Sequence, residues 1–330
     1  SRERQRASEG REPLQLTLAP TRREQLAPML DLRAHSRAAV TTIICCAASP
    51  HDPSTTMLEE TVKNLLRFTN GVAASWNLLI GFDGANPKLS LGQQSAYNST
   101  IRRTKAHLMT NPELLLSAKR RVVVAPKNVG YTAMLAMLVE EYVVTPLVYI
   151  QQHDRPIAKP FDAAGVVTSF VNPHIHMIKL HHRRNSNMRC QNYTLVDISE
   201  EKYNALKGVN VNGHGSRLCF VSNIRPYRGW SSVPLSQATG YDDAPHFGRT
   251  EWFKRVVLPA TRCRTAVGCA HTPYMLFPER HVLYQMHADL DHLMGPYGEM
   301  PTLFHMKYGT YLYGTLKDGE YTTHRDSRRS

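Results

Sequence analysis

The chain lacks several of the features that most quickly classify a protein. No segment approaches the roughly 18–20 consecutive apolar residues of a membrane span, and the run Ala38–Ala48 is too short for one and reads as a strand. Cysteine is sparse, six in 330 residues, with no Cys-x-x-Cys pair, which excludes a disulfide-built scaffold. No repeat or low-complexity tract occurs beyond an Arg-rich start. The turn after the first predicted strand, Ala47–Ser54, holds neither Gly nor Lys. That counts against a phosphate-binding loop built from glycines and a lysine, and so against a nucleotidyltransferase. Acidic residues are outnumbered 27 to 40 by Lys and Arg.

What is present is a substantial apolar share, 42%, and a net charge of +13. The first allows one large domain or two modest ones. The second suits an anionic partner: a nucleotide, an acidic glycan, nucleic acid or a membrane surface. Residues 1–37 carry eight Arg and few apolar residues, and His324–Ser330 is basic and polar, so both ends read as solvated tails. Cys45 and Cys46 are neighbours in a predicted buried strand, where their side chains point to opposite faces, and reduced thiols are expected. A Cys263–Cys269 bridge is the alternative for the later pair. Histidine is abundant, 16 residues, and His174 and His176 could share a strand face, but the spacing shows no convergent zinc set. With no span and no disulfide pattern, a cytoplasmic location is expected, with peripheral membrane association allowed by the charge. A Golgi-lumenal location follows instead if an anchor precedes Ser1.

From Ala39 the pattern alternates strand and helix. Val40–Ala47 reads as a strand, Ser54 or Thr55 as the cap of a helix to about Phe68, and Trp76–Phe82 as a second strand. A polar helix follows from Tyr97 to about Met109, with another over 111–118. Arg121–Ala125 is the third strand, Tyr131–Val144 a helix, Leu147–Ile150 the fourth strand, Phe161–Val171 a helix and Ile175–Leu180 the fifth strand. This order predicts an α/β fold with a mainly parallel sheet flanked by helices. Beyond Asn185 the pattern weakens into short strands, loops and aromatics. The expected division is a basic segment at 1–37, a nucleotide-side region at 38–185 and a region at 186–330 continuous with it.

The chain is organised around Pro146–Pro156. Leu147–Ile150 is a short apolar strand that stops at Gln151, Gln152, His153 and Asp154, and Pro156 prevents its continuation. Open α/β sheets bind ligands beyond the carboxyl ends of their strands. A carboxylate there can hold a hard divalent cation, which in turn can hold a diphosphate. Three polar loops share that rim: Ser49–Ser54, Asp83-Gly84 and Gln152–Asp154.

The motifs in order are His51-Asp52-Pro53-Ser54-Thr55, Leu58-Glu59-Glu60-Thr61, Phe82-Asp83-Gly84, Asn128-Val129-Gly130 and Gln152-His153-Asp154-Arg155-Pro156. Together they resemble the family-two-like glycosyltransferases with the nucleotide-sugar-binding A-type fold, and among them a bacterial and algal group with an x-His-Asp metal motif. The resemblance covers about residues 39–185 and implies a Rossmann-like sheet with an irregular C-terminal acceptor-side region. It implies that Ala47, Ala48 and Ser49 meet the nucleotide base, and that Asp83 accepts a hydrogen bond from uracil or ribose. Asn128 and Gly130 would let their loop approach the nucleotide. Gln152 and His153 would lie on the donor, and Asp154 would bind Mn2+ or Mg2+ bridging its diphosphate. A plain turn at Asp83-Gly84 and a simple helix start at Asn128–Gly130 are the alternatives. Gln152 departs from the many relatives that carry a carboxylate there, so metal affinity should fall, or the metal should rest on Asp154 and phosphate.

The resemblance further implies an inverting transfer from a nucleotide-diphosphate sugar, UDP-linked by expectation, to a glycan acceptor, with a carboxylate base after the metal motif. Asp243, in Gly240-Tyr241-Asp242-Asp243-Ala244-Pro245-His246, and Glu279, after the apolar run Met275-Leu276-Phe277, are the two candidates. Arg183 and Arg184 could reach the diphosphate. Trp230, Tyr241, Trp252, Tyr308, Tyr311 and Tyr313 are sugar platforms or, more commonly, core. Tyr308–Gly314 could be a closing segment or an edge strand. The competing reading is a non-catalytic basic protein that binds an anionic polymer or nucleic acid. No nucleic-acid motif occurs, and nucleic acid is not the expected partner.

Overall fold

The computed structural model describes residues 39–46, 55–111, 119–182, 193–197, 217–221, 223–224, 231–237, 241, 244–261, 282, 286, 308–315 and 318–323. Strand β1 (Val40–Cys46) is buried along its whole length. Its Val, Thr and Ile content suits a pleated surface covered on both sides. Parallel partners lie on either side of it: β2 (Asn77–Phe82) on one and β4 (Leu147–Gln152) on the other. Strand β3 (Arg120–Val124) adds parallel to β2 as the edge.

Beyond β4 the sheet changes character. The next strand in space, β10 (His246–Arg249), runs antiparallel to both β4 and β5 (Met177–Lys179). Then come β11 (Thr310–Tyr313), β9 (Leu235–Gln237) and β8 (Asn223–Ile224), giving the order β3-β2-β1-β4-β10-β5-β11-β9-β8. Only β10 and β9 oppose the common direction, so seven of nine strands point the same way. The expected α/β fold, a mainly parallel Rossmann-like sheet flanked by helices, is present. A separate two-stranded parallel sheet joins β6 (Tyr193–Asp197) to β7 (Arg217–Val221).

Helices cover both faces, as parallel crossovers require. On one face lie α1 (Thr56–Phe68), with Leu58, Val62 and Leu65 buried, and α2 (Leu91–Thr110), with Tyr97, Ile101 and Leu108 buried. Both pack on Ile44, Cys46, Leu78, Ile80 and Phe82. Burial of each such side chain contributes about 1.5–3 kcal/mol. On the other face, α3 (Tyr131–Glu141) packs Met134, Leu135 and Leu138 against Ile43, Leu79 and Ile150. It approaches closely because Gly81 has no side chain, and a Cβ there would lie 2.6 Å from Leu138 Cδ1. The same face takes α5 (Thr250–Trp252), a π-helical turn (Phe253–Val257) and α6 (Leu258–Thr261). Helix α4 (Ala163–Ser169) ends where Arg249 donates to the carbonyls of Phe170, Asn172 and Ile175. Burial lowers the Arg249 pKa to about 10.

Several boundaries differ from expectation for local reasons. Helix α2 starts six residues earlier than Tyr97 because Ser90 and Gln93 form a reciprocal capping box. The strand expected at Ile175–Leu180 shrinks to Met177–Lys179. His176 falls outside it and stacks on Trp252, rings 6.2 Å apart, so it shares no strand face with His174. Strand β11 is interior, between β5 and β9, and is therefore not an edge. The aromatics offered as sugar platforms are mostly core: Tyr241, Trp252, Tyr308 and Tyr311 are buried. Tyr241, Trp252 and Tyr308 join the cluster that holds α3 and Ile150, and Tyr311 joins the one that holds Tyr149, Phe161 and Phe247. Cys45 and Cys46 are free, buried and on opposite faces, as expected. Trp230, Cys263, Cys269, both tails and, beyond Asn111, the helix expected over 111–118 lie outside the described residues.

Two outcomes are expected. Gly309 has φ +48°, and a Cβ on it would sit 2.1 Å from the His174 carbonyl oxygen. Gly309→Ala should therefore lower stability by about 2–3 kcal/mol in urea unfolding, and a change within error would remove this crossing from the account. Burial pushes the Cys45 thiol from 9.0 up to about 12, with the Asp83 charge adding to the effect. Between those values the unfolded chain has lost the proton and the folded one keeps it, so stability falls as pH rises above 9. The slope is up to about 1.4 kcal/mol per pH unit for this thiol, and it should flatten in Cys45→Ala. Equal pH slopes in the two proteins would refute the assignment.

Candidate functional site

The carboxyl rim of the parallel half is built from the end of β1. Past the last ladder pairs, Asp83 N donates to the Cys46 carbonyl and His153 N donates to the Cys45 carbonyl, each at 3.3 Å. The residues after β2 and after β4 are thus hung on opposite sides of one strand. Two strand spacings separate β2 from β4, roughly 10 Å. Asp83 and Asp154 stand at these two places, both partly exposed. Their charges also reach the thiols at the end of β1. After burial, Asp83 is the next cause raising Cys45, and Asp154 contributes to raising Cys46.

Asp83 is engaged from several directions. Its Oδ1 accepts from Val129 N at 2.7 Å and Gly130 N at 3.0 Å, and its Oδ2 accepts from Asn128 Nδ2 at 2.8 Å. Asn128 also donates to the Gly84 carbonyl at 3.1 Å. The Asp83 carbonyl accepts from the Tyr97 hydroxyl of α2. Gly130, at φ +81°, is the N-cap of α3 and has no side chain to cap it. Asp83 accepts from the N–H of this N-cap residue and of the one before it, and its negative charge suits the helix N-terminus. Gly84 is needed for closeness, because a Cβ there would lie 2.3 Å from the Lys127 backbone carbon. The resemblance brought Asp83, Asn128 and Gly130 together for a nucleotide, and the structure brings them together with one another.

The second part of the rim is the turn after β4. Thr61, fully buried in α1, donates to the His153 carbonyl at 2.6 Å. His153 Nδ1 lies 3.3 Å from the Cys45 carbonyl. Gln151 is fully buried, and its Nε2 donates to the Arg155 carbonyl at 2.8 Å. Arg155 N donates to the Gln152 carbonyl at 3.2 Å. The turn carrying Asp154 is therefore fixed to α1, to β1 and to itself. Thr61 lay within a motif that carried the resemblance, but as a helix position among Leu58, Val62 and Leu65 it looked like packing. Tyr97 gave no functional signal at all. Pairing of α1 and α2 with the rim emerges only in three dimensions.

Whether this rim suits a divalent cation is a matter of its donors. Among the described residues no group of three or more His, Cys, Asp or Glu side chains could hold a metal. Asp154 offers one carboxylate and Gln152 a neutral carbonyl, while His153 turns a ring nitrogen to β1. That set fits a cation that brings phosphate and water oxygens with it, as Mg2+ commonly does, and does not fit a resident metal held by protein alone. Ala47, Ala48, Ser49, Arg183, Arg184, Asp243 and Glu279 lie outside the described residues.

No protein-family model matches the chain, and no curated protein matches it. Among solved structures, the chain is similar to GalNAc-T7 with UDP, GalNAc and Mn2+, at 8% identity and TM-score 0.47, covering 87% of this chain and 44% of that one. It is similar to mouse xyloside xylosyltransferase 1 in its apo form, at 10% identity and TM-score 0.37, covering 89% and 99%. It is also similar to a protein described as a glucose-1-phosphate thymidylyltransferase from Bacillus anthracis in complex with sucrose, at 11% identity and TM-score 0.34, covering 66% and 74%. The chain thus spans less than half the length of the first of these. At such scores function has to be argued from this chain's own rim.

Gly84→Ala should drive the Lys127 backbone away and break the Asp83 contacts with residues 128–130. The expected cost is about 1–3 kcal/mol in chemical unfolding, with faster amide exchange at Val129 and Gly130. Unchanged protection at both amides would show that the crossing does not hold this loop.

Proposed function

We propose that the chain is a glycosyltransferase that moves a sugar from a nucleotide-diphosphate donor, UDP-linked, to a glycan acceptor with inversion. The observation that carries this reading is the placement of Asp83 and Asp154 on either side of the β1 end, at the carboxyl rim of a four-strand parallel unit. The separation of about 10 Å between their strands suits a ligand with a nucleoside at one end and a diphosphate at the other. The fixed 128–130 loop offers backbone to the nucleoside side, and the pinned 152–155 turn offers Asp154 to the diphosphate side.

Transfer forms a bond from the acceptor oxygen to the anomeric carbon and breaks the bond from that carbon to the diphosphate oxygen. The hydroxyl proton must pass to a base, and the leaving diphosphate must be stabilised. Asp154, with Gln152 beside it, would hold a Mn2+ or Mg2+ ion arriving with the diphosphate. When bound, such an ion neutralises charge on the leaving group. Thr61 and the Cys45 carbonyl keep the turn from rotating as the donor binds. Exposed Lys127, beside Gly84, adds a positive charge on the nucleotide side. The base is assigned to Asp243, with Glu279 as the alternative, and each would act from the face opposite the leaving group. In this reading the three tracts at 1–37, 38–185 and 186–330 are a basic segment, a donor side and an acceptor side. The placement proposed is cytoplasmic, or Golgi-lumenal with an upstream anchor.

A second reading, a non-catalytic binder of an anionic polymer, is favoured by the net charge of +13. Calorimetry with UDP and UDP-sugars, with Mn2+ and with chelator, separates the two. The transferase reading expects Mn2+-dependent UDP binding that weakens at least about tenfold in Asp154→Ala, a loss of about 1.4 kcal/mol, with unchanged thermal unfolding. Absence of UDP binding to the folded wild-type protein would overturn it, and full binding by the variant would remove Asp154 from the site.

A further inference from the structure

The basic charge is not spread evenly. Between Asp83 and Glu140 the sequence holds eight Lys and Arg residues and one acid, Glu113. Lys88, Arg102, Arg103, Lys105, Lys119, Arg121 and Lys127 are exposed. All of them belong to α2, to the edge strand β3 or to the loops beside them. Part of this charge has a plain purpose, since Arg and Lys on an edge strand discourage pairing with other chains. Arg120 and Arg121 serve that end on β3. Arg102 and Lys105 do not, because they stand on a helix.

They line a groove instead. It has a volume of about 560 Å³ and runs between α2 and the Val124 end of β3. Its wall on α2 is Leu91, Gln94, Ser95, Asn98, Ile101, Arg102 and Lys105. These recur at three- and four-residue intervals, so they form one stripe along the helix. From Leu91 to Lys105 the stripe is roughly 21 Å long at 1.5 Å per residue.

We propose that this groove is a second binding site, for an acidic glycan chain bearing carboxylates or sulfates. Amides and a hydroxyl alternate along the stripe, and they both donate and accept, as sugar hydroxyls demand. The two cations answer a repeating negative charge. A single-stranded nucleic acid would ask for aromatic faces on which to stack, and no lining residue is aromatic. The inference deepens the transferase reading, because a site that holds the polymer beside the rim raises the local concentration of acceptor ends.

The test uses the whole chain and the double variant Arg102→Gln/Lys105→Gln, both sites being exposed. Binding is measured for a galacturonate octasaccharide, a heparin octasaccharide, a neutral glucan of the same length, phosphatidylserine vesicles and polyuridine RNA, with UDP binding measured in the same samples. The expected result is binding of one or both acidic octasaccharides, which tells carboxylate from sulfate, and none of the neutral glucan. In the double variant that binding should weaken at least about tenfold, with UDP binding unchanged. Equal oligosaccharide binding by the variant, no acidic oligosaccharide binding, or stronger capture of vesicles or RNA would each overturn the proposal. Oligosaccharide binding lost in the double variant, in a protein that binds no UDP, would uphold the groove and sink the transferase reading instead.

Discussion

The rim depends on one carboxylate. Asp83 gathers two backbone N–H groups and one side-chain amide from residues 128–130, while its own carbonyl takes the Tyr97 hydroxyl. One residue thereby joins the end of β2, the loop after β3, the start of α3 and the middle of α2. A hydrogen bond to a charged acceptor contributes about 1.5–3 kcal/mol, so this junction is among the strongest local ties in the sheet. It works only because glycine stands at both Gly84 and Gly130. A Cβ at the first would collide with the Lys127 backbone, and the positive φ at the second disfavours any other residue.

The other half of the rim is held by different means. The turn after β4 is tied down through its backbone and through neutral side chains. Buried Thr61 and the Cys45 carbonyl fix the His153 peptide, and Gln151 and Arg155 close the turn on itself. Asp154 is left as the acidic group of that turn, presented from a backbone tied at both ends. At Asp83 the carboxylate itself gathers the neighbouring loop, and at Asp154 the backbone on either side is tied to α1 and β1. This division suits a ligand with a nucleoside end that needs shape and a diphosphate end that needs charge.

The electrostatics of the chain follow the same geography. Burial raises the thiols of Cys45 and Cys46, and the Arg249 guanidinium is met by three carbonyls. Seven exposed cations stand on α2, on β3 and in the loops beside them, at the far edge from β10 and β11, and others, such as Lys63, Arg67 and Arg255, lie elsewhere. An anionic donor at the rim and an acidic polymer on the edge would both be drawn to the same side of the sheet.

By itself the sequence determined the elements of the parallel half and the chemistry at their ends. Short apolar runs rich in Val, Ile and Leu and bounded by polar stops marked strands covered on both faces, and the spacing Leu58, Val62, Leu65 marked a helix with one buried side. Polar stops at Asp83 and at Gln152–Asp154 marked the rim, because side chains of that kind do not continue a buried strand. The tertiary structure alone decided the rest. That β10 inserts antiparallel between β4 and β5, and that Tyr308 and Trp252 are core, depends on contacts distant in sequence, such as Phe247 with Tyr149 and Ile178 and Trp252 with His176, which leave no local periodicity. That Asp83 is bound to 128–130, and that Thr61 holds the Asp154 turn, follows from the crossing of elements whose side chains carry no trace of their partners in the order of the chain.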